Sequence, residues 1–497
     1  MEFNKSLLRC LQKAASQVQT QEQTQEIRLS DAMPDIGRVL GSWGQVVIRG
    51  KEWQGDTMAV SGGVMVWALY APEDGTDPRV VDAWMPFQIK WDTPQNQLEG
   101  AVQVCPELKS MDVRSTSSRK LMARSVVSVL AEALQPMDAE VYEAATVPED
   151  VQLLKQTYPV ELPREYGEKT LRLDEQLRLE PQMPDVRKIV YCRMQPTVRE
   201  YRVMGSRLVF RGVGKLSMLY MDQNGQILKN SWELPFSQFA DLNGEYSPQA
   251  SAWIMPIVTG MEAEPDEDRG IYLKCGIACQ YTIYDRQMLE VVADAYSPVR
   301  KVGSRTEMLN LPMLLERKEK NVQIRKQSQM DGIEPVDVVW YKGHPRILWN
   351  EDKVESELAG QFQILYRDAE GLLQSSTVRS EDSWQIPSDE DNQVQIYWKC
   401  ESEPDMLFQG EGADISVSMT VEEMTFAQQG IPMVTALELG EAEAPDPGRP
   451  SLILRRAVDE NLWMIAKNAG STVELIQKAN NLEGEPQVGQ MLLIPVS

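Results

Sequence analysis

A single histidine in 497 residues leaves imidazole chemistry almost nothing to work with. That residue, His344, stands between Gly343 and Pro345, so it reads as a surface turn residue rather than a catalytic base or a metal ligand. Cysteine is also sparse. The six thiols (Cys10, Cys105, Cys192, Cys275, Cys279 and Cys400) are scattered and read as reduced, mostly buried small hydrophobes. Cys275 and Cys279 sit four apart, which in a strand separates them by ~13 Å, too far to share a metal. No stretch approaches the ~20 apolar residues that span a bilayer.

Positive charge is in deficit, with 50 Lys and Arg against 74 Asp and Glu and a net charge of −24. Such a balance repels phosphate backbones and anionic lipid surfaces, and no basic arm or stripe offsets it. Neither nucleic acid nor membrane insertion is expected. Two further motifs fail on inspection. Gly212-Val213-Gly214-Lys215 lacks the Ser or Thr that completes a phosphate loop. The acidic run Glu262 to Asp268 lacks the calcium-loop glutamate, since the twelfth position from Asp266 is Ile277. These absences predict a protein that is not an enzyme and holds no cofactor.

The chain exceeds the ~250–300 residues at which one core stops growing, and internal repetition divides it. Met33-Pro34-Asp35-Ile36 recurs 150 residues later as Met183-Pro184-Asp185-Val186. Leu69-Tyr70 and Gly75 recur as Leu219-Tyr220 and Gly225, and Arg119 recurs as Arg269. A more diverged third copy keeps Leu365-Tyr366, Gly371 and Trp384-Gln385-Ile386-Pro387 but opens on Met330-Asp331-Gly332-Ile333. Ile271, Leu273, Cys275, Ile277, Cys279, Tyr281 and Ile283 share one face at period two, the mark of a half-buried strand. Asp222-Gln223-Asn224-Gly225 supplies a hairpin turn. The predicted architecture is mainly β, with three antiparallel, sandwich-like modules at 27–136, 174–300 and 330–436. Leu7, Leu8, Leu11, Ala14 and Val18 stand at helical spacing, which predicts an N-terminal helical segment over 1–26 rather than a secretory signal, so the protein is expected to stay in the compartment where it is made. The segments 137–173 and 305–329 read as charged linkers, and the acidic, Pro-rich stretch 439–450 as a spacer from which a small last domain, 448–497, hangs free.

That last domain shows a short strand, two helical patterns and a closing strand. Leu462-Trp463-x-Ile465-Ala466, then Leu475 and Asn480, then Gly489-Gln490-x-Leu492-x-Ile494-Pro495 resemble the LysM domain. The resemblance implies a β-α-α-β fold that binds N-acetylglucosamine glycans such as peptidoglycan or chitin. It implies contacts from two loops, here Asp459, Glu460 and Asn461, and Asn480, Asn481 and Leu482. The first loop lacks the family's glycine. Arg455, Arg456 and Trp463 are a possible docking surface for a protein, although the place of Trp463 beside Leu462 and Ile465 suits the small core better.

The repeated units, with their Met-Pro-Asp opening, Leu-Tyr…Gly hairpin and Pro-Phe strand, resemble SPOCS domains. Several such modules ending in LysM are similar to the SipL-type spore coat morphogenetic proteins of clostridia. The resemblance implies a scaffold in the mother-cell cytoplasm at the forespore surface. It further implies a LysM domain that docks onto the spore coat basement ATPase, stage IV sporulation protein A.

Overall fold

Alternation of buried and exposed residues governs most of the chain in the computed structural model, which describes residues 2–92, 100–266, 269–350, 353–400 except 388–391, 402–409, 412–442, 448 and 450–496. Unit one comprises β1 (Phe3–Arg28), β2 (Ile36–Gln54), β3 (Thr57–Pro72), β4 (Arg79–Asp92), β5 (Ala101–Ser117) and β6 (Lys120–Ala145). Its strands form two antiparallel sheets, ordered β1-β6-β5 and β2-β3-β4. Their inner faces meet over Trp43, Val47, Val64, Met85, Val104 and Met111.

Unit two repeats this order with β7 (Gln152–Arg178), β8 (Lys188–Met221), β9 (Ile227–Tyr246), β10 (Ser251–Asp266) and β11 (Gly270–Tyr296). One sheet runs β7-β11-β10; in the other, β8 pairs with β9. The long β8 does the work of β2 and β3 together. Gly205 (φ 59°) turns it where Gly55 (φ 62°) turns unit one. Beyond those turns the two arms press close, and a Cβ on Gly62 or Gly212 would lie 2.2 Å from the Val47 carbonyl or 2.4 Å from that of Thr197.

A two-stranded ribbon, β12 (Arg300–Leu309) with β21 (Ile431–Ala442), brackets unit three. Between them run β13 (Leu314–Gln329), β14 (Glu334–Lys342), β15 (Arg346–Asn350), β16 (Lys353–Arg367), β17 (Leu373–Pro387), β18 (Asn392–Cys400), β19 (Asp405–Gln409) and β20 (Gly412–Ala427). Strands β13-β20-β18 make one sheet, with β19 also on β20, and β14 and β15 share β16 with β17 in the other. First strand on last strand is thus the rule in all three units.

Each unit touches the other two. The Gln45 side-chain Oε1 accepts from Met194 N (3.2 Å), Gln195 donates to the Cys400 carbonyl (3.1 Å), and the Tyr341 hydroxyl accepts from Gly44 N (3.0 Å). Trp43 of unit one stacks on Tyr191 of unit two (centroids 5.1 Å) and donates to Asp337 of unit three (2.9 Å). Fully buried Glu422 receives Arg317, Lys399 and Trp253, binding unit three to unit two. Burial alone would push its carboxyl up, but the two cations hold it below the usual range. The outer ends of the three ribbons share a further core of Leu8, Val141, Leu162, Val291, Leu309 and Met433.

Several expectations are corrected. The segment expected to be helical over 1–26 forms no helix in its described residues, 2–26: β1 pairs along its length with β6, burying Leu8 and Cys10 while leaving Leu7 and Val18 half exposed. The helical spacing lost to a strand partner more than a hundred residues away. The supposed linkers at 137–173 and 305–329 are largely strand, their alternating charges forming cross-strand pairs such as Lys155–Glu290 (2.7 Å). The units consequently run 3–145, 152–296 and 314–427, wider than or shifted from the limits read from the repeats. His344 is no surface turn residue. It wedges between units, its Nε2 3.1 Å from Leu130 N and 2.8 Å from the Cys105 carbonyl, and burial pushes the imidazole down to about 3. The acidic run Glu262–Asp268 and the spacer 439–450 lie partly outside the described residues.

Candidate functional site

The C-terminal domain is assembled from β22 (Leu452–Arg456), α1 (Leu462–Ala469), α2 (Val473–Asn480) and β23 (Met491–Pro495). Leu462, Ile465 and Ala466 repeat at helical spacing and bury with Ile476, Leu492 and Ile494 in one small core. Each helix begins on a side-chain cap. Asn461 accepts from Met464 N (2.9 Å) and Thr472 from Leu475 N (3.2 Å). Gly470 (φ 62°) ends α1 and Asn481 (φ 51°) ends α2, both in the left-handed region. β22 pairs with β23 antiparallel, Leu454 facing Leu493.

Two loops lie side by side at one end. Ala457 N donates to the Gln490 carbonyl and the Ala457 carbonyl accepts from Gly489 N, both at 2.8 Å, which joins the loop 457–461 to the loop 481–490. Glu485, a residue that no sequence signal marked, crosses between them and accepts from Leu462 N (2.7 Å), placing a carboxylate on the start of α1. Of the residues expected to contact a glycan, Asp459, Asn461 and Asn481 are exposed. Glu460 is half-buried and paired with Arg455 (2.6 Å).

Asn480 is committed elsewhere. Its amide grips Leu493 of β23 from both sides, donating to the carbonyl (2.6 Å) and accepting from the N–H (2.7 Å), so it fastens α2 to the sheet. Leu482 is half-buried against the core. The first loop is therefore the more available of the two, and in the second only Asn481 is fully presented.

The docking surface expected from Arg455, Arg456 and Trp463 is not one surface. Trp463 is only 8% exposed and is already occupied. Its indole meets Tyr296 edge-on (centroids 4.7 Å) and donates to Asp294 (2.8 Å), while Lys467 pairs with the same carboxylate (2.7 Å) and Tyr296 donates to the Ser471 carbonyl (3.0 Å). Burial would raise the Asp294 carboxyl, yet Lys467 and Trp463 hold it below its ordinary range. The domain does not hang free, because the end of unit two holds it by α1. Arg455 is spent on Glu460, and Arg456 alone of the three is exposed.

The outward face of β22 and β23 carries an apolar strip instead. Leu452 (49% exposed) and Leu454 (65%) stand beside Leu493 and Met491, with Arg456 opposite Met491 at one end. The alternation of Leu452 and Leu454 around Ile453 was the available signal. Among the described residues, no three His, Cys, Asp or Glu side chains gather to hold a metal. No helix among them is long and apolar enough to cross a membrane.

Residues 459–495 match the LysM domain family, beginning just after β22. No curated protein and no solved structure matches the chain.

Proposed function

Proceeding from a LysM domain at its C-terminal end, we propose that this chain is a non-enzymatic scaffold that presents a glycan-capturing module on a rigid three-unit body. The observation that carries this reading is the paired loops of the LysM domain, with Asp459, Asn461 and Asn481 open to solvent while α1 is anchored to unit two. Amide and carboxylate side chains on a shallow end surface suit the hydroxyl and acetamido groups of an N-acetylglucosamine polymer. Peptidoglycan is the ligand class that fits best. The test is sedimentation of the full chain with purified peptidoglycan. The wild-type chain is expected in the pellet, and Asp459→Ala with Asn481→Gly should move it to the supernatant. A wild-type chain that stays soluble with the glycan refutes the reading.

A second reading is favoured by the apolar strip of Leu452, Leu454, Met491 and Leu493. Exposed leucines rimmed by Arg456 suit a protein partner better than a sugar. On this reading the units are SPOCS modules of a spore coat morphogenetic protein of SipL type. Its LysM domain captures the stage IV sporulation protein A-like basement ATPase at the forespore surface, in the mother-cell cytoplasm. Leu454→Asp then abolishes capture of that ATPase and leaves glycan sedimentation unchanged. Capture that survives this substitution in a folded chain removes the strip from consideration.

A further inference from the structure

Where the three units meet, they enclose a cavity of about 270 Å³, partly open to solvent. Its wall is built from β2 and β5 of unit one, β8, β9 and β10 of unit two, and β14 and β18 of unit three. In a chain of net charge −24, this lining is cationic. Arg193, Lys215, Lys229, Lys342 and Lys399 face it, against the carboxylates of Glu107 and Glu403.

Most of these cations have assigned partners. Lys342 pairs with Glu107, and Lys229 bridges Asp337 (2.8 Å) and Glu403 (3.0 Å). Lys399 reaches back to Glu422, behind the wall. Arg193 differs. Its Nε is buried without a hydrogen-bond partner, and its guanidinium lies 5.1 Å from the Tyr341 ring centre with no carboxylate paired to it among the described residues. A buried, unserved guanidinium N–H costs stability unless something accepts its proton.

The repeat register sharpens the point. At the displacement of 150 residues, Arg193 stands where unit one has Trp43, and Lys215 where unit one has Met65. Trp43 is a core residue at 2% exposure. Unit two therefore places two long cations at positions that its sister unit fills with apolar side chains, and both face the cavity. Packing alone would favour the apolar pair.

The geometry points to a binding site for a small polyvalent oxyanion of the phosphate type, seated between the three units with Arg193 as its principal donor. The guanidinium fork matches the spacing of two oxygens on one phosphorus, and lysines from separate units add charge from other sides. Bound there, the anion also crosslinks the units, so it stabilises the folded chain by mass action.

The probe is inorganic pyrophosphate, added to the full chain and compared with sodium chloride at equal ionic strength. A saturable rise in melting temperature is expected with pyrophosphate, with a saturable heat in calorimetry. Arg193→Met keeps the aliphatic stem and removes the fork, and it should bind about tenfold more weakly or not at all. Its melting temperature in chloride should be no lower than that of the wild type. If Arg193→Met does not fold, Lys215→Met provides the same comparison. A wild-type chain with no saturable response, or folded variants that respond like the wild type, overturns the proposal.

Discussion

Units one and two latch their first turn with an arginine, while unit three fills the same corner with rings. In unit one, Arg119 pairs with Asp35 (2.9 Å) and donates to the carbonyls of Met33 and Ser30, and the Tyr70 hydroxyl donates to the Pro34 carbonyl (2.9 Å). Unit two repeats it with Arg269 on Asp185 (2.6 Å) and the Met183 carbonyl, and Tyr220 on the Pro184 carbonyl (3.1 Å). The Met-Pro-Asp, Tyr and Arg of the repeat are thus one device, a polar clamp on a turn. In unit three Gly332 lies beneath Phe408 and Tyr366, where a Cβ would sit 2.4 and 2.6 Å from their ring atoms. The sheets, their order and the hairpin after Tyr366 survive this exchange. Topology depends on the alternating faces, and the clamp only trims one corner.

The largest test of that comparison is Trp43→Ala, which removes the side chain through which unit one holds both sisters. Truncating so buried a ring should cost about 3–5 kcal/mol. If the three units are one cooperative body, calorimetry will show a single transition at lower temperature; a separate early transition would mean that unit one melts alone. Next comes acid. His344 has a folded value of about 3 against about 6.5 unfolded. Its contribution is complete above about pH 6.5 and is lost as pH falls toward 3, at up to about 1.4 kcal/mol per unit. His344→Gln should flatten that part of the stability profile, measured by urea titration between pH 7 and pH 4, and an unaltered slope would clear the imidazole of that role.

The clamp itself is probed by Tyr70→Phe and Tyr220→Phe, each expected to cost about 1 kcal/mol through a lost hydrogen bond. Tyr366→Phe should change nothing, since its ring lies tilted beside that of Phe408 (5.7 Å) and its hydroxyl makes no hydrogen bond among the described residues. Equal costs in all three units would erase the distinction. Apart from that neutral control, the smallest cost is expected at Asp294→Asn, about 0.5–1 kcal/mol for a partly exposed pair. Unit one has Ala144 and Thr146 where unit two has Asp294 and Tyr296, so unit one lacks the side chains that hold the LysM domain. Faster proteolytic release of that domain, with the body intact, is the expected readout.

The strands of the unit centres were legible because one face of each is buried. Ile271 to Ile277 alternate in burial along β11 as they do in sequence, whereas from Ile277 to Tyr284 both faces are buried, with Gln280 and Thr282 bonded to unit one. The LysM domain was legible because its helices carry their own caps and apolar spacing. The outer ribbons were not. β1 buries few side chains along its length, and its order comes from backbone pairing with β6, which leaves no periodic trace in composition. In the candidate site, the exposed places of Asp459 and Asn461 follow from the loop, whereas the diversion of Asn480 and Trp463 follows from partners distant in sequence, Leu493 and Asp294.

Pairing first strand with last has a consequence for synthesis. β1 has no edge to join until β6 has emerged, more than a hundred residues later, and β7 and β13 wait likewise for β11 and β20. The ribosome must therefore release each unit nearly whole before its long-range closure can begin, the condition under which β proteins fold slowly. The nascent N-terminal strand meanwhile exposes an unsatisfied edge, a template for the wrong neighbour on a crowded polysome.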